Sequence, residues 1–241
     1  MKNILVTGTS KGLGLKITEK LLSEGHSVYC VSRSMTDEFK ELEAKFPNNI
    51  YHKFYDLKDT ENIKEKLFKG FVSLDIPLHG FVNNAALAYD DIVTNIHLEP
   101  LKDMFAVNVF SPYIIAKHAI RNMLFNRISG SITHISSISV HTGYKGLSMY
   151  ASTKGALEAF SKNTAREWGV RQIRSNCLVA GFMETAMSGA LSDDQKNRIY
   201  KRTSLKQATT LESVASTVAF LQSDEAESIT GQNIFVDSGT I

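Results

Sequence analysis

Tyr150 and Lys154 stand four residues apart in the run Tyr150-Ala151-Ser152-Thr153-Lys154, and on a helix that spacing puts both side chains on one face, one turn apart. A free tyrosine titrates near ~10 and exchanges protons poorly at neutral pH, whereas a fixed positive charge beside it favours the phenolate and lowers that value. The pair therefore predicts a phenol able to trade protons with a bound substrate. An amphipathic helix that carries Tyr and Lys at this spacing by chance is the competing account. Thirteen residues before Tyr150, Ser137 ends the run Ser131 to Ser137, which reads as a strand. A hydroxyl there can donate to a carbonyl oxygen while Tyr150 supplies the proton, a two-donor arrangement like an oxyanion site. A nucleophilic triad is not indicated: Ser137 lacks a Gly-x-Ser-x-Gly setting, and His134 inside the same run reads as packed.

The elements that must position these groups can be followed from the N-terminus. Ile4 to Val6 reads as a buried strand, Thr7 to Lys11 as a turn, and Gly12 to Glu24 as a helix with Leu13, Ile17, Leu21 and Leu22 at helical spacing. Gly8, Gly12 and Gly14 punctuate this unit as Thr-Gly-x-x-x-Gly-x-Gly. Glycines there allow a sharp turn and a close approach of backbone amides to a pyrophosphate at a helix N-terminus. The candidate contacts are Gly8, Ser10, Lys11, Gly12, Leu13 and Gly14; a plain tight βα connection is the alternative. The second strand, Ser27 to Val31, follows Gly25 and ends Val31-Ser32-Arg33-Ser34 without the carboxylate that would select a free ribose 2′-hydroxyl. Arg33, with Lys11 as a second positive charge, suits a 2′-phosphate and so predicts NADP(H). Met35 to Phe46 reads as a helix and Ile50 to Tyr55 as a third strand. Asp56-Leu57 follows, where Asp56 can accept from an adenine amino group or cap a helix beginning near Asp59.

Leu78 to Val82 reads as the next strand and runs into Asn83-Asn84-Ala85-Ala86, at the edge where open α/β sheets bind ligands. Asn84 and Ala85 are therefore further candidate contacts. Leu98 to Phe125 is helical in pattern, with Asn108 four residues before Pro112. Proline removes the bond to the residue four positions back, which predicts a kink near Asn108 and a freed carbonyl able to hold a water. The sequence leaves open whether Asn108 is structural or part of a proton path.

A chain of 241 residues is long enough for one large α/β core. Acids and bases are interspersed at a net charge of +2, which gives no sign of a nucleic-acid partner. Cys30 and Cys177 sit in apolar runs and read as buried thiols of a reducing compartment. With neither a secretory h-region nor a run of membrane-spanning length, the cytoplasm is the expected location and no membrane is expected as partner.

Taken together, Thr7-Gly8-x3-Gly12-x-Gly14, Asn83-Asn84-Ala85, Asn108, Ser137 and Tyr150-x3-Lys154, in this order and spacing, resemble the short-chain dehydrogenase/reductase family over essentially the whole chain. The resemblance implies a Rossmann-type, doubly wound parallel sheet of about seven strands in a single domain. It makes Tyr150 the acid/base and gives Lys154 the task of lowering its pKa and binding the nicotinamide ribose. Ser137 would orient the substrate carbonyl and Asn108 hold a relay water. It also implies contacts from Gly181 and, at the carboxamide, Thr185, and a homotetramer or dimer built on the long helices around Asn108 and Tyr150. The stretches from Phe182 to Gln195, Ala219-Phe220-Leu221 and Ser228 to Gln232 are similar to bacterial 3-oxoacyl-[acyl carrier protein] reductases. That implies reduction of an acyl-carrier-protein-bound 3-oxoacyl thioester, a substrate lid over about 183–205, and carrier docking beside the active-site mouth on Arg171 and Arg127, the latter one residue from the aligned Ile128. Ala86, Ser111, Ala180 and Ser238 depart from the usual pattern, leaving room for a specialised polyketide or polyene branch. A reductase of small ketones, sugars or steroids stays open; a non-catalytic NADP-binding regulator fits the intact Asn108, Ser137, Tyr150 and Lys154 poorly.

Overall fold

Short aliphatic runs separated by turn residues become strands when both of their faces can be covered, and the first of them shows this directly: Ile4, Leu5 and Val6 are all fully buried. A computed structural model describes residues 1–185 and 192–241. Its strands are β1 (Asn3–Thr7), β2 (Ser27–Ser32), β3 (Ile50–Phe54), β4 (Gly80–Asn83), β5 (Gly130–Ser137), β6 (Ile173–Ala180) and β7 (Asn233–Val236). They form one sheet in the order β3-β2-β1-β4-β5-β6-β7, and every pairing is parallel. The helices are α1 (Gly12–Ser23), α2 (Asp37–Lys45), α3 (Leu98–Phe105), α4 (Ser111–Asn126), α5 (Ser139–Thr142), α6 (Ser148–Trp168), α7 (Asp193–Arg202) and α8 (Leu211–Gln222). The doubly wound sheet expected from the sequence is what is observed.

Side chains alternate across a strand, so β1 feeds two cores. Ile4 and Val6 pack with Ile17 and Leu21 of α1, Phe39 of α2 and Val214 and Val218 of α8. Leu5 packs on the other face with Phe81, Leu67, and Ile115 and Met123 of α4. Because β1 lies between β2 and β4, the chain changes sides of the sheet there, and a crevice opens beyond the C-terminal ends of these strands.

Local departures from the expected elements have physical causes. β4 begins at Gly80 rather than Leu78 because the Leu78 N–H is taken by the Asn122 side chain at 2.8 Å. β6 ends at Ala180, which is paired with Ser137 at the end of β5 and with Val236 at the end of β7. The expected kink at Pro112 takes the form of a π-helical segment, Ala106–Phe110, between α3 and α4. Pro112 has no N–H for an α-register bond to Asn108, and the wider turn, with Ser111 N–H bonding to Ala106 O, absorbs the missing donor. After β3, the helix expected near Asp59 is a π-helical segment at Lys64–Lys69. Asp59, not Asp56, accepts the Asn62 N–H at its approach, at 3.3 Å.

Candidate active site

The turn after β1 is built by two close approaches that only glycine allows. Gly8 adopts φ 74, and a Cβ on Gly14 would stand 2.0 Å from the Gly8 carbonyl oxygen and 2.5 Å from Asn84 Nδ2. Asn84 in turn donates to Thr7 O at 3.0 Å and Gly8 O at 3.1 Å. The N–H groups of Asn84 and Ala85 both donate to the Thr7 hydroxyl at 3.2 Å. The turns after β1 and β4 are thereby locked together. Gly12 differs: at φ 58, its missing Cβ would meet nothing within 4 Å. The N-cap of α1, Lys11, makes no side-chain capping bond, so the first N–H groups of this twelve-residue helix are left facing an open cradle that suits a phosphate.

The cradle is one wall of a cleft of about 430 Å³. Gly8, Ser10, Lys11, Gly12, Leu13, Gly14, Arg33, Asp56, Leu57, Asn84, Ala85, Tyr150, Lys154 and Thr185 all line it, so the sequence candidates drawn from six different segments are brought together. Arg33 and Lys11 are exposed, and neither forms an ion pair among the described residues. Asp56 accepts the Lys58 N–H at 3.0 Å. Gly181 is outside this lining. It is buried, and a Cβ there would lie 2.5 Å from Thr209 Oγ1 and 2.6 Å from Asp237 Cα, so its geometry answers to packing between the ends of β6 and β7. The sequence reading missed Lys58, Leu87, Val107 and Met183 on the cleft wall. Lys58 was legible as a third basic residue beside Asp56-Leu57; the apolar three carried no signal.

Tyr150 and Lys154 project from α6 into the inner end of the cleft. Lys154 is 2% exposed; its Nζ donates to Ile135 O of β5 at 2.8 Å and lies 5.6 Å from the Tyr150 ring centre. Burial draws the Lys154 pKa down to about 8. The expectation of an acidified phenol is corrected here: burial pushes Tyr150 up to about 12, with the Asp90 carboxylate acting in the same direction. The low-dielectric setting that brings the two groups together disfavours the charged form of each. A phenol so held keeps its proton at neutral pH, the form needed to donate to a developing alkoxide.

Ser137, the last residue of β5, accepts the Ser139 N–H at 3.2 Å. It is not part of the cleft lining. Asn108, in the π-helical segment, is fully buried; its Oδ1 accepts Leu87 N–H at 2.8 Å, and its Nδ2 donates to Leu87 O at 2.9 Å and to Thr153 Oγ1 at 3.0 Å. Thr153 donates onward to Tyr150 O at 2.7 Å. Asn108 therefore clamps the loop after β4 to the turn of α6 that carries Tyr150. His134 is packed against Phe81 and Phe160, and burial lowers its pKa to about 3, so it stays neutral.

Arg127 and Arg171 lie elsewhere. Arg127 caps the C-terminus of α4 just before β5, and Arg171 ends the turn just before β6. Gly130 N–H bonds to Gln172 O at 3.2 Å between these connections. Both arginines therefore stand at the N-terminal edge of the sheet, roughly 25 Å along an eight-residue strand from the cleft. Their placement beside this chain's own active-site mouth is corrected: in a parallel sheet, residues that precede a strand are at the far end from those that follow it. Of the expected lid, 186–191 lies outside the described residues. In its described part, Tyr200 of α7 donates to Glu184, and Lys196 pairs with Glu184 at 3.3 Å. Among the described residues no group of His, Cys, Asp and Glu is arranged for a metal ion, and no helix is long and apolar enough to cross a membrane.

Comparison with known proteins finds relatives along the whole chain. The family model described as enoyl-(acyl carrier protein) reductase matches residues 8–240. The 3-oxoacyl-[acyl-carrier-protein] reductase FabG of Escherichia coli K12 is 33% identical over 240 residues, covering 99% of this chain and 96% of that protein. Two crystal structures share the fold. One is a protein assigned as a 2-deoxy-D-gluconate 3-dehydrogenase from Agrobacterium tumefaciens with bound NADP (TM-score 0.92, 24% identity, 99% and 96% coverage). The other is a gluconate 5-dehydrogenase from Burkholderia cenocepacia with NADP and tartrate (TM-score 0.90, 23% identity, 99% and 94% coverage).

Proposed function

Because the chain belongs to the short-chain dehydrogenase/reductase family, we propose that it is an NADPH-dependent reductase converting a 3-oxoacyl thioester, held on an acyl carrier protein, to the 3-hydroxyacyl product. The observation that carries this reading is the convergence of Tyr150 and Lys154 on the inner end of a cleft whose outer wall is the open glycine turn. The thioester is favoured by the full-length likeness to the 3-oxoacyl reductase of E. coli.

The residues present fit a dinucleotide phosphate. Gly8, Ser10, Lys11, Gly12, Leu13 and Gly14 would take the pyrophosphate, Arg33 and Lys11 the 2′-phosphate, and Asp56 and Leu57 the adenine. Asn84 and Ala85 would border the ribose, and Lys154 and Thr185 the nicotinamide half. When bound, NADPH supplies a hydride to the 3-keto carbon. Tyr150 then gives its phenolic proton to the substrate oxygen. Ser137 donates to the same oxygen, and the Ser139 N–H already occupying one of its lone pairs leaves its proton free for that task. Lys154, charged below about pH 8, stabilises the phenolate left behind. Asn108 holds the turn of α6 that carries Tyr150 and supports proton return. A homotetramer or dimer belongs to the same proposal, supported by Leu98 and Phe110, large apolar side chains exposed along α3 and the π-helical segment.

The test is NADPH consumption by purified protein over 3-oxoacyl thioesters and simple ketones, sugars and steroids, with Tyr150→Phe as control. Turnover of thioesters, cut about 10²- to 10⁴-fold in the variant, is the expected result. Preference for a sugar or small ketone would replace the substrate; equal rates in parent and variant would remove the catalytic reading.

A further inference from the structure

We infer that Glu158 is a positioning residue for this reaction, fixing Ser137 at the end of β5 against the face of α6 that carries Tyr150 and Lys154. The inference rests on the roles proposed above for Ser137 and Tyr150.

Tyr150, Lys154 and Glu158 follow one another at intervals of four residues along α6 and so share one face of the helix. Two consecutive residues of β5 meet that face: Lys154 Nζ donates to Ile135 O at 2.8 Å, and the Ser136 hydroxyl donates to Glu158 Oε1 at 2.5 Å. Ser137 is the next residue. The same carboxylate takes Asn233 Nδ2 of β7 on Oε2 at 2.7 Å, and His141 Nε2 of α5 stands 3.2 and 3.1 Å from its two oxygens. His141 is further held by an edge contact with Phe235, ring centres 5.0 Å apart.

Ser137 is thus gripped on both sides. Before it, Ser136 is tied to Glu158. After it, the Ser139 N–H bonds to the Ser137 hydroxyl at 3.2 Å, and α5, which Ser139 opens, is tied through His141 to the same carboxylate. Only an acceptor with two oxygens can receive donors from β5, α5 and β7 at once. With its side chain 10% exposed, Glu158 costs desolvation that an aliphatic residue at this helix position would avoid. What the carboxylate adds is a fixed register between the strand end and the helix. Displacements of about 1 Å in reacting groups cost on the order of a hundredfold in rate.

The experiment measures kcat and KM for acetoacetyl-coenzyme A and for NADPH in Glu158→Gln, Ser136→Ala and His141→Ala, with Ser161→Ala as the comparison. Ser161 makes a buried hydroxyl contact from α6 to Ser175 at 2.8 Å, outside the hub. Glu158→Gln places an amide N–H against existing donors; it and Ser136→Ala are expected to lower kcat about ten- to a hundredfold and His141→Ala less, with KM for NADPH within twofold. Ser161→Ala is expected to lower the melting temperature with kcat kept. Parental kcat in all three hub variants, or equal kcat loss in Ser161→Ala, would overturn the inference. If Glu158→Gln does not fold, Ser136→Ala decides. Crystal structures of parent and Glu158→Gln read the positioning without turnover: a change of about 0.5 Å or more in the Ser137 Oγ to Tyr150 Oη separation supports it, and an unchanged separation overturns it. Should Tyr150→Phe turn over as fast as the parent, the reaction proposal falls while this structural readout still stands.

Discussion

The Lys154 ammonium lies 5.6 Å from the centre of the Tyr150 ring and donates to the Ile135 carbonyl at 2.8 Å, so α6 and β5 are joined at the point where the proton donor sits. Burial sets the pH response of this pair. The Lys154 pKa of about 8 is below its ordinary 10.5, so between those values the unfolded chain holds a proton that the folded chain has released. The contribution of Lys154 to stability therefore rises with pH across that window. Tyr150, raised from 10.0 to about 12, acts oppositely and only above pH 10, where the folded chain holds the extra proton. Chemical denaturation of the parent and Lys154→Met at a series of pH values should show the difference moving in the parent's favour from about pH 8 to pH 10. A flat or reversed difference would show that Lys154 is not desolvated as its burial implies.

Arg33 at the end of β2 should decide between the two nicotinamide cofactors. A charge-assisted contact to a 2′-phosphate contributes about 1.5–3 kcal/mol. Arg33→Ala is expected to raise KM for NADPH by about ten- to a hundredfold and to leave KM for NADH within twofold. Initial rates with both cofactors check this, and an equal rise for both would assign Arg33 to something other than the phosphate.

The glycine turn makes a paired prediction. Gly14→Ala would put a methyl group 2.0 Å from the backbone oxygen of Gly8 and 2.5 Å from Asn84 Nδ2, so the β1 and β4 turns must separate. Loss of several kcal/mol of folding stability, or failure to accumulate folded protein, is expected. Gly12→Ala meets no atom within 4 Å but is held at φ 58. It should cost about 1–2 kcal/mol in stability and weaken NADPH binding, because the new methyl group enters the cradle. Thermal unfolding with and without NADPH separates the two; similar behaviour of both variants would contradict the geometry.

What the sequence made legible was what is local. The glycine spacing followed by Leu13, Ile17 and Leu21 announces a turn and a helix within one βα unit, and Tyr150 and Lys154 share a face at any helix position. Asn108 shows the limit. Its partners, Leu87 and Thr153, are 21 and 45 residues away, so its clamping geometry exists only once β4, the π-helical segment and α6 have packed. The acidified phenol failed for a related reason, since sequence displays the neighbouring charge but not the desolvation that opposes it. Arg127 and Arg171 were misplaced although the order of elements held the answer: each immediately precedes a strand, and the cleft lies where strands end. Ser111, one of the departures from the family pattern, gains a meaning only in three dimensions, its hydroxyl donating to the Leu57 carbonyl and tying α4 to the cleft wall after β3.

Ser238 is the departure whose consequence can be weighed most directly. It adopts φ 58 and is followed by Gly239 at φ 73, so the chain after β7 makes two successive left-handed steps. Its carbonyl accepts the Leu205 N–H at 3.1 Å, which fixes that conformation, while among the described residues its hydroxyl makes only a long contact to Thr209 Oγ1, at 3.3 Å. A residue with a Cβ costs about 1–2 kcal/mol in this region, whereas glycine does not. Removing the hydroxyl is common to Ser238→Ala and Ser238→Gly, so comparing those two variants isolates the backbone contribution. Glycine gains relief of the left-handed strain and loses part of it to the greater freedom of its unfolded chain. The net expectation is that Ser238→Gly is more stable than Ser238→Ala by about 1 kcal/mol, or roughly 2–4 °C in melting temperature for a chain of this size. Equal melting temperatures, or a more stable alanine variant, would mean that the Leu205 bond does not hold position 238 in its left-handed conformation.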